Sequence, residues 1–174
     1  MNRDRFEEGL SIGDYLGRIV ARAAEWRESF ERASVPCLDV ATADLVAAVV
    51  AEDWSWECAV GLPPILRFLS EVRGLQTRVF PRDLNLDLAC TLDGDDPLAI
   101  PRVALFDSAG ALVARWGPRA AAAESVFREK EALRGKGERV MRLRAWYETD
   151  RGRAGVDEVK EMLARSMLRE ARTP

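Results

Sequence analysis

The sequence predicts an α/β fold: a β-α-β unit, a connecting helix and a β-β-α unit, with one helix before this core and more helices after it. Two observations carry that expectation. Residues 45–51 form an uninterrupted apolar run of strand length, and a strand with no polar alternation is buried on both faces, as at the centre of a sheet. From Asp44 onward, short β-rich runs then alternate with longer helical patterns, in the order strand, helix, strand, helix, strand, strand, helix, which indicates a sheet with a crossover helix. A chain of 174 residues, 48% hydrophobic and 32% charged, is long enough and apolar enough for one globular domain.

Each element follows from local chemistry. Ser11-Ile12-Gly13-Asp14 has the form of a capping box. It opens one helix whose apolar positions, Ile12, Tyr15, Leu16, Ile19, Val20, Ala23, Trp26 and Phe30, recur at offsets of three and four. Pro36 ends that helix, because proline disfavours helix in the residue before it. After the strand at 45–51 comes a helix over 56–72, with a bend expected at Pro63-Pro64. A second strand follows at 75–80, a helix at 84–92, and a turn-rich loop at 93–97. Segments 102–106 and 111–116 read as a hairpin around Ser108-Ala109-Gly110. Pro118 then opens a helix reaching about residue 133, since proline suits the first turn. A linker at 134–137 leads to helices at 138–147 and 156–168. The division is therefore a single domain over 1–174, with a core at 44–133 and helical extensions at 1–36 and 134–174.

Composition excludes several kinds of chemistry. Histidine is absent, which removes Ser–His and Cys–His nucleophile pairs and histidine-ligated metals. Cys37, Cys58 and Cys90 are too far apart for C-x-x-C spacing, so neither a zinc site nor a local redox pair is expected. No cofactor is expected. A net charge of −3 gives no reason to expect nucleic acid or an anionic membrane as partner. Residues 128–153 hold nine Lys/Arg against five Asp/Glu, read as solvated helix faces. The opening residues lack a signal-peptide core, and no segment approaches the roughly 20 apolar residues of a membrane span. A sparse, odd cysteine count suits a reducing compartment, and the expected location is cytoplasmic.

The stretch Trp54-Ser55-Trp56-Glu57-Cys58 sits where the first strand hands over to a helix. A side chain there faces unpaired backbone N–H groups and the positive end of the helix dipole, which would stabilise a thiolate. Ser55 stays protonated at physiological pH; its preferred reading is a helix N-cap, contributing about 1 kcal/mol. Cys58 lies one turn further on, either as a small apolar core residue or as a lone thiol able to join glutathione, a partner or Cys90. Trp56 has two readings of equal weight, an exposed indole beside a groove or a ring packed under the N-terminal helix. Arg82 pairs with Asp83, Asp87 or Glu57, or holds an anion; Asp83 is a plausible cap; Arg119 is a second, weaker anion contact.

Taken as a set, these blocks resemble a family. Glu52-Asp53-Trp54-Ser55-Trp56-Glu57, Arg82-Asp83-Leu84-Asn85-Leu86-Asp87-Leu88, Ile100-Pro101 and Trp116-Gly117-Pro118-Arg119 are similar to the conserved blocks of bacterial thioredoxin-like proteins, as is the opening Phe6-Glu7-Glu8-Gly9 with Asp14-Tyr15-Leu16. The likeness covers about residues 1–130. It implies that Trp54-Ser55-Trp56-Glu57-Cys58 corresponds to a W-C-x-x-C redox motif whose first cysteine is Ser55, that Pro63 matches the proline of the motif helix, and that Ile100-Pro101 matches the cis-proline site. A cis bond there would expose the Ile100 backbone to an extended peptide. The leading expectation is a protein without dithiol reductase activity that binds a protein or peptide through Trp54, Ser55, Trp56, Glu57, Ile100 and Pro101. The alternatives are a monothiol oxidoreductase or redox sensor acting through Cys58, and a structural protein that dimerises through its terminal helices.

Overall fold

In the computed structural model, described for residues 1–36, 45–92, 98–128 and 136–170, four strands form one sheet in the order β2-β1-β3-β4. The strands are β1 (Val46–Ala51), β2 (Gln76–Pro81), β3 (Arg102–Phe106) and β4 (Leu112–Trp116). β1 pairs parallel with β2 and antiparallel with β3, and β4 pairs antiparallel with β3. β1 is buried from Ala47 to Ala51 and β3 along its whole length, as expected of central strands. The fold is thus the mixed α/β arrangement read from the sequence. The loop expected at 93–97 and Cys37 lie outside the described residues.

The helices depart from expectation at both ends of the chain. In place of one N-terminal helix there are three, α1 (Arg3–Glu7), α2 (Ile12–Arg18) and α3 (Ala23–Arg32). Ser11 caps α2 by accepting from the Asp14 N–H at 3.0 Å. The break at 19–22 has a tertiary cause. The carboxylate of Asp53, at the end of β1, accepts from the backbone N–H of both Val20 and Ala21 at 3.0 Å, and Arg22 turns left-handed at φ 56°. Apolar spacing continued across this gap, so periodicity carried no sign of the break. Between α1 and α2, Leu10 forms an antiparallel bridge with Val79 and covers part of the β2 edge.

α4 (Trp56–Glu71) runs unbroken through Pro63 and Pro64. A 3-10 turn (Arg82–Leu84) precedes α5 (Leu86–Thr91). Asp83 is no cap: it lies inside the turn, and the buried Asn85 side chain instead donates to the Pro81 carbonyl at 2.7 Å. Pro118 does not open a helix. The Gly117–Pro118 peptide bond is cis, as is Ile100–Pro101, and α6 (Ala121–Arg128) starts three residues later. Lys136 and Gly137, expected in a linker, belong to α7 (Lys136–Asp150), and α8 (Arg153–Glu170) follows after one tight turn.

That turn is possible because Gly152 takes φ +78°, and a Cβ there would lie 2.7 Å from Pro64 Cγ. It seats α8 against α4 and β4, where Val156, Val159 and Leu163 join the main core with Leu62, Ile65 and Phe68 of α4 and Val49 and Leu105 of the sheet. α6 packs mainly on α7. There Ala123, Leu143 and Tyr147 form a second, smaller core cluster, with Trp56 and Val60 packed against it. Among the described residues, no helix is long and apolar enough to cross a membrane.

Candidate functional site

The end of β1 delivers the chain straight into α4, and Ser55 is the hinge between them. Its hydroxyl accepts from the Cys58 N–H at 3.3 Å, its N–H donates to the Glu52 carbonyl at 3.3 Å, and its carbonyl accepts from Ala59 at 3.0 Å. Ser55 is therefore the N-cap of α4, the conformation serine favours because its oxygen satisfies an otherwise unpaired helix donor.

Cys58 is fully buried, and both it and the exposed Cys90 are free thiols. Burial pushes the Cys58 thiol up to about 12, against the opposing pull of hydrogen bonds with Ser55 and the Glu52 backbone. At neutral pH the sulfur is a protonated thiol with no access to solvent, and a thiol in that state is a poor nucleophile. Two consequences are measurable. Iodoacetamide at pH 8 is expected to leave Cys58 unmodified in the folded protein and to label it in denaturant; labelling in the folded state would contradict the burial. The folded thiol also holds its proton more tightly than the unfolded one. Its contribution to stability is complete below the ordinary thiol value near 9 and is lost as pH rises from there toward about 12. A Cys58→Ala protein is expected to lack this component of alkaline destabilisation in urea titrations.

The two tryptophans point to different neighbours. Trp54 is 49% exposed, with the Arg82 guanidinium 4.9 Å from its ring centroid. Trp56 is partly exposed and lines a groove between α3 and α7. It meets Tyr147 of α7 edge-on at 5.6 Å, with Arg144 stacked 5.2 Å from its ring. Gly61, one turn beyond Cys58, permits this docking, because a Cβ there would approach the Tyr147 ring to 3.2 Å. α7 lies far along the chain, and no local pattern links it to the motif.

The charged candidates are engaged with the protein itself. Arg82 binds Asp83 at 2.6 Å and donates to the Leu98 carbonyl at 3.0 Å. Asp87 pairs instead with Arg5 at 3.0 Å. Glu57 is held by two nitrogens of Arg119, one of them at 2.7 Å. Arg119 also binds Glu124 at 2.8 Å and stacks 4.1 Å from the Phe127 ring centroid. This network ties the first turn of α4 to α6. The structure thus places both arginines proposed from sequence as anion contacts in internal ion pairs.

Ile100-Pro101 lies at the same end of the central strands as the motif. In the antiparallel register Val50 faces Arg102, which puts Pro101 beside Ala51 and the chain leading into Ser55. The buried Arg102 side chain holds this region by donating to the carbonyls of Ala99 at 3.1 Å and Gly117 at 3.0 Å.

Three contributors escaped the sequence reading. The first is Glu52, whose carboxylate accepts from the Asp83 N–H at 2.7 Å. Its pKa is raised by burial, with the Asp83 hydrogen bond opposing. The second is Asp53, which holds the α2–α3 connection against the motif. Asp53→Ala is expected to cost about 1–2 kcal/mol by urea denaturation, because two backbone N–H groups lose an ionised acceptor. It should also remove hydrogen-exchange protection at Val20 and Ala21; unchanged protection would show that the carboxylate is incidental. The third is a set of exposed apolar side chains: Val20 at 86%, Leu84 at 83%, and Leu86 and Leu98 about half-exposed. The Val20 backbone is tethered to Asp53 and the Leu98 backbone to Arg82, while Leu84 closes the turn that carries Arg82 and Leu86 opens α5. Arg82 stacks on the Trp54 ring and Arg22 donates to the Trp54 carbonyl at 3.4 Å, so the segments bearing Val20 and Leu98 are tied to the motif. Among the described residues, no acidic or cysteine cluster is arranged to hold a metal ion.

Sheet order, crossover helix and a capped strand-to-helix junction together define a thioredoxin-like α/β protein. A thioredoxin family model matches residues 19–133, from α3 through α6, and the chain belongs to that family. Two solved structures share the fold. An HIV epitope-scaffold has a TM-score of 0.66 at 18% identity, covering 92% of this chain and 96% of its own. A protein of unknown function from Pseudomonas aeruginosa has a TM-score of 0.63 at 18% identity, covering 92% of this chain and 95% of its own. At that identity the likeness speaks to fold alone. No curated protein matches the sequence.

Proposed function

We propose that this protein is a binding member of the thioredoxin family, one that docks a protein or extended peptide on the face around Trp54, Ser55, Ile100 and Pro101 and performs no dithiol chemistry. The observation that carries the reading is the pairing of an alcohol at the helix cap with a buried, protonated thiol beneath it. Thiol–disulfide exchange begins with a thiolate attacking a disulfide sulfur, and neither residue supplies one at neutral pH. Trp54, Val20, Leu84 and Leu98 are exposed, and the backbones of Val20 and Leu98 are held by Asp53 and Arg82 beside the motif. Large apolar side chains exposed near one another commonly mark an interaction site, and aromatic and arginine side chains are frequent anchors in one. The monothiol alternative receives no comparable support, since Cys58 is sealed inside the core.

Panning a random peptide library on the immobilised protein tests the reading. Recovered peptides are expected to bind native protein and to lose affinity about tenfold or more with Trp54→Ala or Leu98→Ala, the loss expected when a buried anchor is truncated. Peptides that ignore both changes would overturn it. So would measurable reduction of insulin disulfides by the native protein.

A further inference from the structure

A concave surface adjoins the motif at Trp56. Between α3 and α7, over Trp56 and Val60 of α4, the chain encloses a groove of about 560 Å³, within the range that holds small organic ligands. Its floor is apolar and aromatic, formed by Trp56, Val60 and Tyr147. Charge on its walls is unevenly satisfied. Arg22 is paired with Glu25 at 2.9 Å and Arg32 with Glu28 at 2.6 Å. Arg144 and Arg151, which line the opposite wall, have no carboxylate partner among the described residues, and Arg144 rests on the Trp56 ring instead.

We propose that this groove binds an amphipathic organic monoanion, with its apolar body on Trp56 and Val60 and its carboxylate or sulfonate between Arg144 and Arg151. Two exposed guanidiniums without a carboxylate partner, one of them stacked on the Trp56 ring, offer an anion charge-assisted hydrogen bonds at the groove wall. The apolar floor discriminates against small inorganic anions, which have no surface to bury there. With Glu148 on the same wall, the lining holds Arg22, Arg32, Arg144 and Arg151 against Glu25, Glu28 and Glu148, an excess of a single positive charge that one negative charge neutralises and a second would overfill. The ligand class is therefore a fatty or aryl acid, in preference to a phosphate ester. α7 lies beyond the family-matched segment 19–133, so the site depends on this chain's C-terminal helices. It adjoins the motif, since Arg22 of its wall donates to the Trp54 carbonyl at 3.4 Å, but the Trp54 side chain is not part of its lining.

The test uses the full chain and anilinonaphthalene sulfonate as a fluorescent probe. Saturable one-site binding is expected, competed by decanoate and not by decyltrimethylammonium, which has the same tail and the opposite charge. The double variant Arg144→Gln/Arg151→Gln is expected to weaken probe and decanoate binding about tenfold or more, as two charge-assisted contacts imply, with an unchanged circular dichroism spectrum. Arg32→Gln, at an already paired position, should bind normally, as should Trp54→Ala, which alters only the motif face. Unchanged affinity in the double variant overturns the proposal, as does equal displacement by the cationic detergent. Loss of the site in Trp54→Ala would assign the probe to the motif face and also overturn it.

Discussion

Ser55→Cys is expected to turn this protein into a disulfide reductase. The substituted side chain would occupy the N-cap of a 16-residue helix, beside the N–H of Cys58 that now donates to the serine oxygen at 3.3 Å. At that position a thiol is acidified by unpaired backbone donors and the helix dipole, commonly to between about 3.5 and 7.5. A large fraction of it would be thiolate at pH 7. That thiolate attacks one sulfur of a substrate disulfide and forms a mixed disulfide, and the other substrate sulfur leaves and takes up a proton. Cys58, one helical turn away, then loses its proton and displaces the second substrate sulfur, leaving an internal disulfide that dithiothreitol reduces. Positions three residues apart on a helix are close enough to be bridged. Insulin reduction by dithiothreitol is expected to accelerate at least about tenfold over the native protein. Mass spectrometry of the resting variant should show an internal disulfide between position 55 and Cys58. If that disulfide forms and insulin is still not reduced, the face around Trp54 does not admit an extended chain, and the binding proposal falls with it.

Trp26→Ala is expected to have the largest effect on stability. The indole is fully buried on α3 and meets Tyr15 of α2 edge-on at 5.6 Å. It joins the main core together with Cys58 and Leu62 of α4. Truncating a buried Trp to Ala removes its transfer free energy and leaves a cavity, for a loss of about 3–5 kcal/mol. The midpoint and slope of urea unfolding measure it. Trp26→Phe supplies the contrast. The Nε1 atom of Trp26 is buried without a hydrogen-bond partner, and phenylalanine keeps an aromatic ring while removing that unsatisfied donor. Its net cost should stay below about 1.5 kcal/mol. If the alanine variant instead loses less than about 1 kcal/mol, the N-terminal helices are only loosely attached, and the motif does not depend on them for its shape.

The sheet was legible because β1 and β3 are buried on both faces and their sequences are correspondingly apolar, while the turns between strands carry glycine, proline and aspartate. The cap at Ser55 was legible for a similar reason: a strand end, a serine and an apolar helical repeat lie within a few residues of one another. Element order and the capped junction therefore followed from one-dimensional information, with the periodicity of burial written directly into the residue types.

The rest was decided by contacts between residues distant in sequence. Asp53 splits the N-terminal helix because the fold brings its carboxylate to two backbone N–H groups more than thirty positions earlier. Trp56 turns toward α7 because Gly61 leaves room for Tyr147. α8, and not α6, covers β4, because the left-handed Gly152 reverses the chain against Pro64. Arg119 is consumed by Glu57 and Glu124, which no spacing rule connects. Local sequence fixes which backbone conformations are favourable over a few residues. Which charge finds which partner, and which ring covers which helix, depends on free-energy differences that exist only once the chain is packed.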